Sequence, residues 1–161
     1  MMWAIILISM TFCFGQNAPS FDGKRAMDLL ITQCTFGPRF PESEGHSQMK
    51  KFMQKFLHPL ADSLYIMDEK ISHPYQRRYI TLTNYLARYN LDAIYRIMIM
   101  AHWDTREFAD QDPDPQNRLL PILGANDGAS GVAVLLTLAE ILHSLPLLNI
   151  GIDLLFVDGE D

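Results

Sequence analysis

The chain has 161 residues, enough for one domain with a real core, and its apolar content of 48% is ordinary for a globular protein. Its formal net charge is −6, and from residue 101 onward it carries eleven of its nineteen acids but only two of its thirteen Lys and Arg, Arg106 and Arg118. So acidic a half excludes nucleic acid as a partner, because phosphate contacts need Lys and Arg; it suits either a cation site or a plainly solvated face.

Residues 3–14 are almost all apolar. That is the length of a signal-peptide core and short for a membrane span, which needs roughly 20 residues. Gly15 supplies a small residue at a cleavage point, so 1–15 reads as a signal peptide, with an anchor or a buried segment as alternatives. The product is expected to be secreted or periplasmic, with no membrane span after signal removal. If Cys13 leaves with the leader, Cys34 stands alone. It is expected to be a buried small hydrophobe, since nothing beside it in sequence would lower its pKa.

Asp22 can cap a helix through Ala26, Leu29, Leu30 and Gln33, ended by Gly37-Pro38. A second helix starts at Ser43 or Glu44. Its stripe of Met49, Phe52, Met53, Phe56, Leu57 and Leu60 falls at helical spacing and predicts core, with His46 and His58 as surface residues beside it. Tyr65–Met67 and Tyr79–Tyr89 read as strands. Ile94–Ala101 is a nearly continuous apolar run, which suits a strand buried on both faces. Residues 106–123 hold three prolines and several acids and predict a long loop, a type that is often functional. Gly128–Leu145 is the clearest helix, closed by Pro146. Ile150–Val157 is a last strand. Strand, loop, helix and strand form a crossover unit, so part of the sheet should be parallel.

The chemistry-bearing residues fall at the ends of these elements. His102 and Asp104 follow one strand, Glu160 and Asp161 follow the next, and Asp127 opens the helix between them. In open α/β sheets, sites form at the carboxyl ends of strands, so parallel pairing would bring all five side chains to one edge. An imidazole and carboxylates suit zinc. Each residue also has a plain reading: Asp127 as a helix N-cap, His102 as a satisfied core histidine, Asp158–Asp161 as a turn. Their coincidence at matched strand ends favours the metal.

Three motifs, Ala101-His-Trp-Asp-Thr-Arg106, Gly124-Ala-Asn-Asp-Gly-Ala-Ser-Gly131 and Phe156-Val-Asp-Gly-Glu-Asp161, resemble those of the zinc-dependent aminopeptidases and glutaminyl cyclases. Phe36-Gly-Pro-Arg-Phe-Pro-Glu-Ser-Glu-Gly-His46 is similar to the segment that opens the catalytic domain in that superfamily, with Glu42 where the family more often has Gly. Asp110-Gln-Asp-Pro-Asp-Pro115 looks most like the bacterial-type zinc glutaminyl cyclases. The resemblance implies an α/β fold: a three-layer mixed sheet with helices on both faces, zinc-exopeptidase-like, truncated after an internal strand. Residues 16–161 would then be the N-terminal part of a single catalytic domain.

The resemblance also implies roles. Asp127 and Asp161 look like zinc ligands, Asp161 standing where many relatives have Glu, and Glu160 looks like the general acid/base. His102 is a ligand only if the site holds two metals, and Asp104 lies behind the ligands and orients them. Trp103 reads as core. A glutaminyl cyclase would cyclise the N-terminal glutamine of a peptide or protein to pyroglutamate and release ammonia, with zinc polarising the side-chain carbonyl and Glu160 carrying the proton. The alternative is a zinc aminopeptidase, in which Glu160 activates a water instead. A metal-free interaction domain would lack the acids at 127 or 160, and both are present. The family's remaining ligands, an acid and a His, come from later elements, and none of the histidines at 46, 58, 73, 102 and 143 stands in such a motif. The chain is therefore expected to be an incomplete fragment, weak in zinc binding and inactive alone, with its Ile150–Val157 strand leaving an apolar sheet edge open.

Overall fold

The computed structural model describes residues 18–74, 76–145 and 149–161. The expected signal peptide, Cys13 and Pro146 lie outside the described residues.

Two capped helices come first. In α1 (Gly23–Thr35) the Asp22 carboxylate accepts from the Arg25 N–H at 3.0 Å, satisfying one of the free amides of the first turn. In α2 (Glu44–Leu57) the Ser43 hydroxyl does the same for the His46 N–H. The predicted stripe is core: Met49, Met53 and Leu57 are fully buried. The same stripe carries His46, three residues before Met49, and His46 is buried too, which overturns its expected surface position. Its spacing already put it on the apolar face. His58 is exposed, as expected, and Cys34 is half-buried rather than buried.

The sheet is built from β1 (Ser63–Ser72), β2 (Tyr79–Tyr89), β3 (Arg96–His102) and β4 (Gly151–Val157), in the spatial order β1-β2-β4-β3. β1 and β2 form an antiparallel hairpin, β2 pairs antiparallel with β4, and β3 runs parallel to β4 with His102 opposite Val157. The parallel pair is joined through α3 (Ala129–Ser144), the crossover expected from the strand–helix–strand pattern.

One face of the sheet, carrying Tyr85, Ala87, Tyr89, Ile152, Leu154 and Phe156, joins the buried residues of all three helices in a single core. α1 lies against α3, where Arg25 forms a bidentate pair with Glu140 and the buried Gln33 amide donates to Ala129 O at 3.0 Å. Among the described residues the helices cover this face alone. Tyr65, Met67, Met98 and Met100, on the opposite face, are exposed.

Two expectations about strand position are corrected here. β4 is the interior strand, hydrogen-bonded on both sides and almost wholly buried, so it leaves no open edge. β3, like β1, is an edge strand, and it is not buried on both faces: Ile97, Met98, Ile99 and Met100 are 38–60% exposed. A continuous apolar run reports that a strand is built for burial, whereas its place in the sheet follows from pairing that spans the chain.

Candidate metal centre

The parallel pair ends at one edge, and everything after it follows from side-chain alternation. Trp103 continues the core-facing register of β3. It is fully buried, donates its indole N–H to Thr83 O at 3.0 Å, and stacks on His46 with ring centroids 4.4 Å apart. Its main-chain N–H donates to Val157 O, which prolongs the pairing one step past the strand. Fixing Trp103 inward turns its neighbours His102 and Asp104 the other way.

His102 sits between acids. Its Nε2 is 2.9 Å from Asp127 Oδ1, while its Nδ1 is 3.4 Å from Asp104 Oδ1 and 3.8 Å from Glu160 Oε2. Asp104 is fully buried and does more than face the imidazole: its two oxygens accept the main-chain N–H groups of Glu160, at 3.4 Å, and Asp161, at 3.2 Å. One carboxylate thereby ties the end of β3 to the acidic loop after β4.

Asp127 does not cap α3. The N-cap position is Gly128, which forms no side-chain capping bond, and the exposed Asp127 carboxylate points at His102. Gly128 has φ +90°, a left-handed conformation, and a Cβ there would lie 2.8 Å from Asp104 O, so glycine is required by both backbone and space. Asp161 completes the group: ligand-type atoms of His102, Asp127 and Asp161 all lie within 4.8 Å of one another. One imidazole with two carboxylates, converging this closely, is a donor set that fits zinc.

Charge in the site is heavily negative. Burial opposes protonation of His102, but the Asp127 hydrogen bond and the charges of Asp104, Glu160 and Asp127 outweigh it and hold its pKa above the usual histidine value. Burial raises Asp104 above the usual carboxylate range, partly offset by the two amides it accepts. Arg106 donates to Asp161 at 3.2 Å and to Asp110 at 3.3 Å, and Asp161 chiefly raises its pKa.

The five residues singled out from the sequence, His102, Asp104, Asp127, Glu160 and Asp161, are brought to one edge. Three others were missed. Arg106 follows the His102 motif and holds Asp161. His46 lies behind the site, its Nε2 2.9 Å from Asp158 Oδ2. Arg39 runs beneath both loops and is fully buried. For Arg106 and Arg39 the contacts that tie them to the site, with Asp161 and with Trp103 O and Gly124 O, span 55 to 85 residues, so their role there could not be read locally.

A crossover α/β sheet with a histidine and carboxylates gathered at the ends of its parallel strands is an arrangement able to hold a metal ion. Residues 84–161 match Peptidase family M28, and the chain as a whole has the fold shared by glutaminyl cyclases and zinc-dependent exopeptidases. It is 36% identical to the Bacteroides thetaiotaomicron glutaminyl cyclase bound to N-acetylhistamine, with a TM-score of 0.83, covering 90% of this chain and 49% of that one. The Porphyromonas gingivalis glutaminyl cyclase is similar at 33% identity and a TM-score of 0.84, over 89% of this chain and 50% of that one. A Zn-dependent exopeptidase from Parabacteroides distasonis gives 32% identity and a TM-score of 0.82, over 89% and 48%. The chain thus spans about half the length of the solved structures it matches. No curated protein matches it by sequence. Among the described residues, no helix is long and apolar enough to cross a membrane.

Proposed function

We infer that this chain carries one part of the active site of a zinc-dependent glutaminyl cyclase that acts on the N-termini of peptides or proteins. The observation that carries the reading is the convergence of His102, Asp127 and Asp161 with Glu160 beside them. Asp127 and Asp161 would hold zinc, with His102 joining them if a second ion binds. Zinc there supplies Lewis-acid polarisation of the substrate carbonyl.

The chain's own residues supply the rest. Glu160 is exposed at the mouth of the site, with its N–H anchored on Asp104, so its carboxylate is free to accept a proton. It takes the proton from the α-amine of an N-terminal glutamine as that nitrogen bonds to the side-chain amide carbon. It then returns the proton to the departing nitrogen as the old C–N bond breaks, giving pyroglutamate and ammonia. Asp104 faces His102 Nδ1 at 3.4 Å and fixes the main chain of Glu160 and Asp161. The segment 1–15, as a signal peptide, would deliver the protein outside the cytoplasm, and 16–161 would be the first part of one catalytic domain.

The second reading, a zinc aminopeptidase, is supported by the likeness to the Parabacteroides exopeptidase. There Glu160 would take a proton from water. The full-length enzyme, of which this chain would be the first part, is tested with Gln-initiated and Leu-initiated peptides. Ammonia release with the peptide bond intact supports the cyclase; release of free leucine replaces it with the exopeptidase.

A further inference from the structure

Arg39 is the one fully buried arginine among the described residues, and no hydrogen bond of its guanidinium goes to a carboxylate. Its donors go to main-chain carbonyls instead. Nε donates to Trp103 O at 3.2 Å, Nη2 to Gly124 O at 2.9 Å, and Nη1 to Leu123 O at 3.1 Å, Gly37 O at 3.3 Å and Gln33 O at 3.4 Å. Its own main-chain N–H donates to the Thr105 hydroxyl at 2.7 Å. A buried cation is costly unless its donors are satisfied, and here the rigid five-donor fork is met by carbonyl dipoles from three segments. Burial pushes the guanidinium pKa down, against a smaller opposing pull from Cys34 and Asp104.

The carbonyls it gathers are placed tellingly. Trp103 lies between His102 and Asp104, and Thr105 follows them. Leu123 and Gly124 lead into Asp127. Gly124 packs so closely on this assembly that a Cβ would lie 2.3 Å from Thr105 Cγ2, 2.6 Å from Asp127 O and 3.2 Å from Arg39 Nη2. The two loops are held together under the site at this point, and their upper ends carry His102 and Asp127 in contact at 2.9 Å.

We propose that Arg39 is a positioning residue that clamps the His102–Thr105 loop to the Leu123–Asp127 loop and so sets the spacing of the metal-binding side chains. It is fully buried and hydrogen-bonds none of the candidate ligand side chains. The role rests on the metal centre proposed above, but the clamp itself is a property of the protein alone. The fork is what matters, not the charge: Lys keeps the charge but has one nitrogen, which cannot reach carbonyls on three segments at once.

The test compares, in the full-length protein, Arg39→Lys and Thr105→Val with Met53→Ala, a core truncation in α2, using hydrogen exchange after chelator treatment and zinc affinity by chelator competition. Arg39→Lys and Thr105→Val are expected to speed exchange in 102–106 and 123–128 by roughly tenfold or more, leaving the 63–89 hairpin unchanged. Zinc affinity should fall by about tenfold or more. Met53→Ala should lower the melting temperature without either effect. Arg39→Lys with wild-type exchange in both loops would overturn the clamp, as would an equal loop response in Met53→Ala. If the wild-type protein takes up no zinc, the metal reading fails, while the exchange data still decide the clamp.

Discussion

His46 and Asp158, separated by 112 positions, meet in the interior with Nε2 and Oδ2 2.9 Å apart. The same Asp158 oxygen accepts the Thr83 N–H at 2.7 Å, and its other oxygen, buried, has no hydrogen-bond partner. His46 also stacks on Trp103, so this pair braces both strand ends beneath the site. Removing one member leaves the other buried and underpaired. His46→Ala is therefore expected to destabilise the protein by about 3 kcal/mol. Urea unfolding of His46→Ala, Asp158→Asn and the double variant should show a coupling of about 1–3 kcal/mol; additive single effects would mean that the contact contributes nothing.

In the proposed reaction Glu160 moves a proton rather than holding metal. Glu160→Gln keeps the side chain's size and its anchored main chain. In the full-length enzyme it is expected to lower turnover by about 10²–10⁴ with zinc content unchanged. Asp127→Ala should instead lose zinc. Metal analysis alongside the peptide assay separates the two, and loss of zinc in Glu160→Gln would move Glu160 into the ligand set.

Gly128 tests how tightly the start of α3 is seated. With φ at +90° and Asp104 O 2.8 Å from any added Cβ, Gly128→Ala strains the backbone and pushes on the loop behind His102. A loss of about 1–3 kcal/mol is expected in thermal or urea unfolding. An alanine variant as stable as wild type would show that the loop yields at no cost.

Asp153 gives a prediction in pH. It lies between Arg96, at 2.6 Å, and Arg88, at 3.0 Å, and its side chain is 8% exposed. The Arg96 hydrogen bond first, then that of Arg88 and both charges, hold its carboxyl below the usual range against the cost of burial. A depressed folded pKa means that the pair's contribution is fully present above the unfolded value, about 3.9, and is lost as pH falls through the folded value. Asp153→Asn should thus be less stable than wild type at pH 7, and the gap should close toward pH 2. A pH-independent gap in the urea midpoint would assign the effect to packing.

Much of this molecule was legible in its periodicity. Asp22 and Ser43 sit where capping predicts, and the Met49–Leu57 stripe is core because spacing of three and four residues forces one helical face inward. The alternation of Tyr79–Tyr89 gave β2 to the residue. Asp127, His102 and the Asp158–Asp161 loop were recognisable because each stands where a regular element starts or ends.

His46 was misplaced although its position on the stripe was visible. A histidine reads as polar until a partner is known, and its partner, Asp158, comes at the far end of the chain. The order of the strands was likewise hidden: β3 and β4 are both apolar runs, and only the long-range insertion of β4 between β2 and β3 makes one interior and the other an edge. Arg39 and Arg106 gained their meaning the same way, from carbonyls and carboxylates that sequence distance conceals. Short-range spacing and backbone preference are written along the chain, and they were enough for the elements and the candidate ligands. Pairing, burial of charge and the closing of one loop on another depend on which distant groups share space, and these were decided only when the chain was packed.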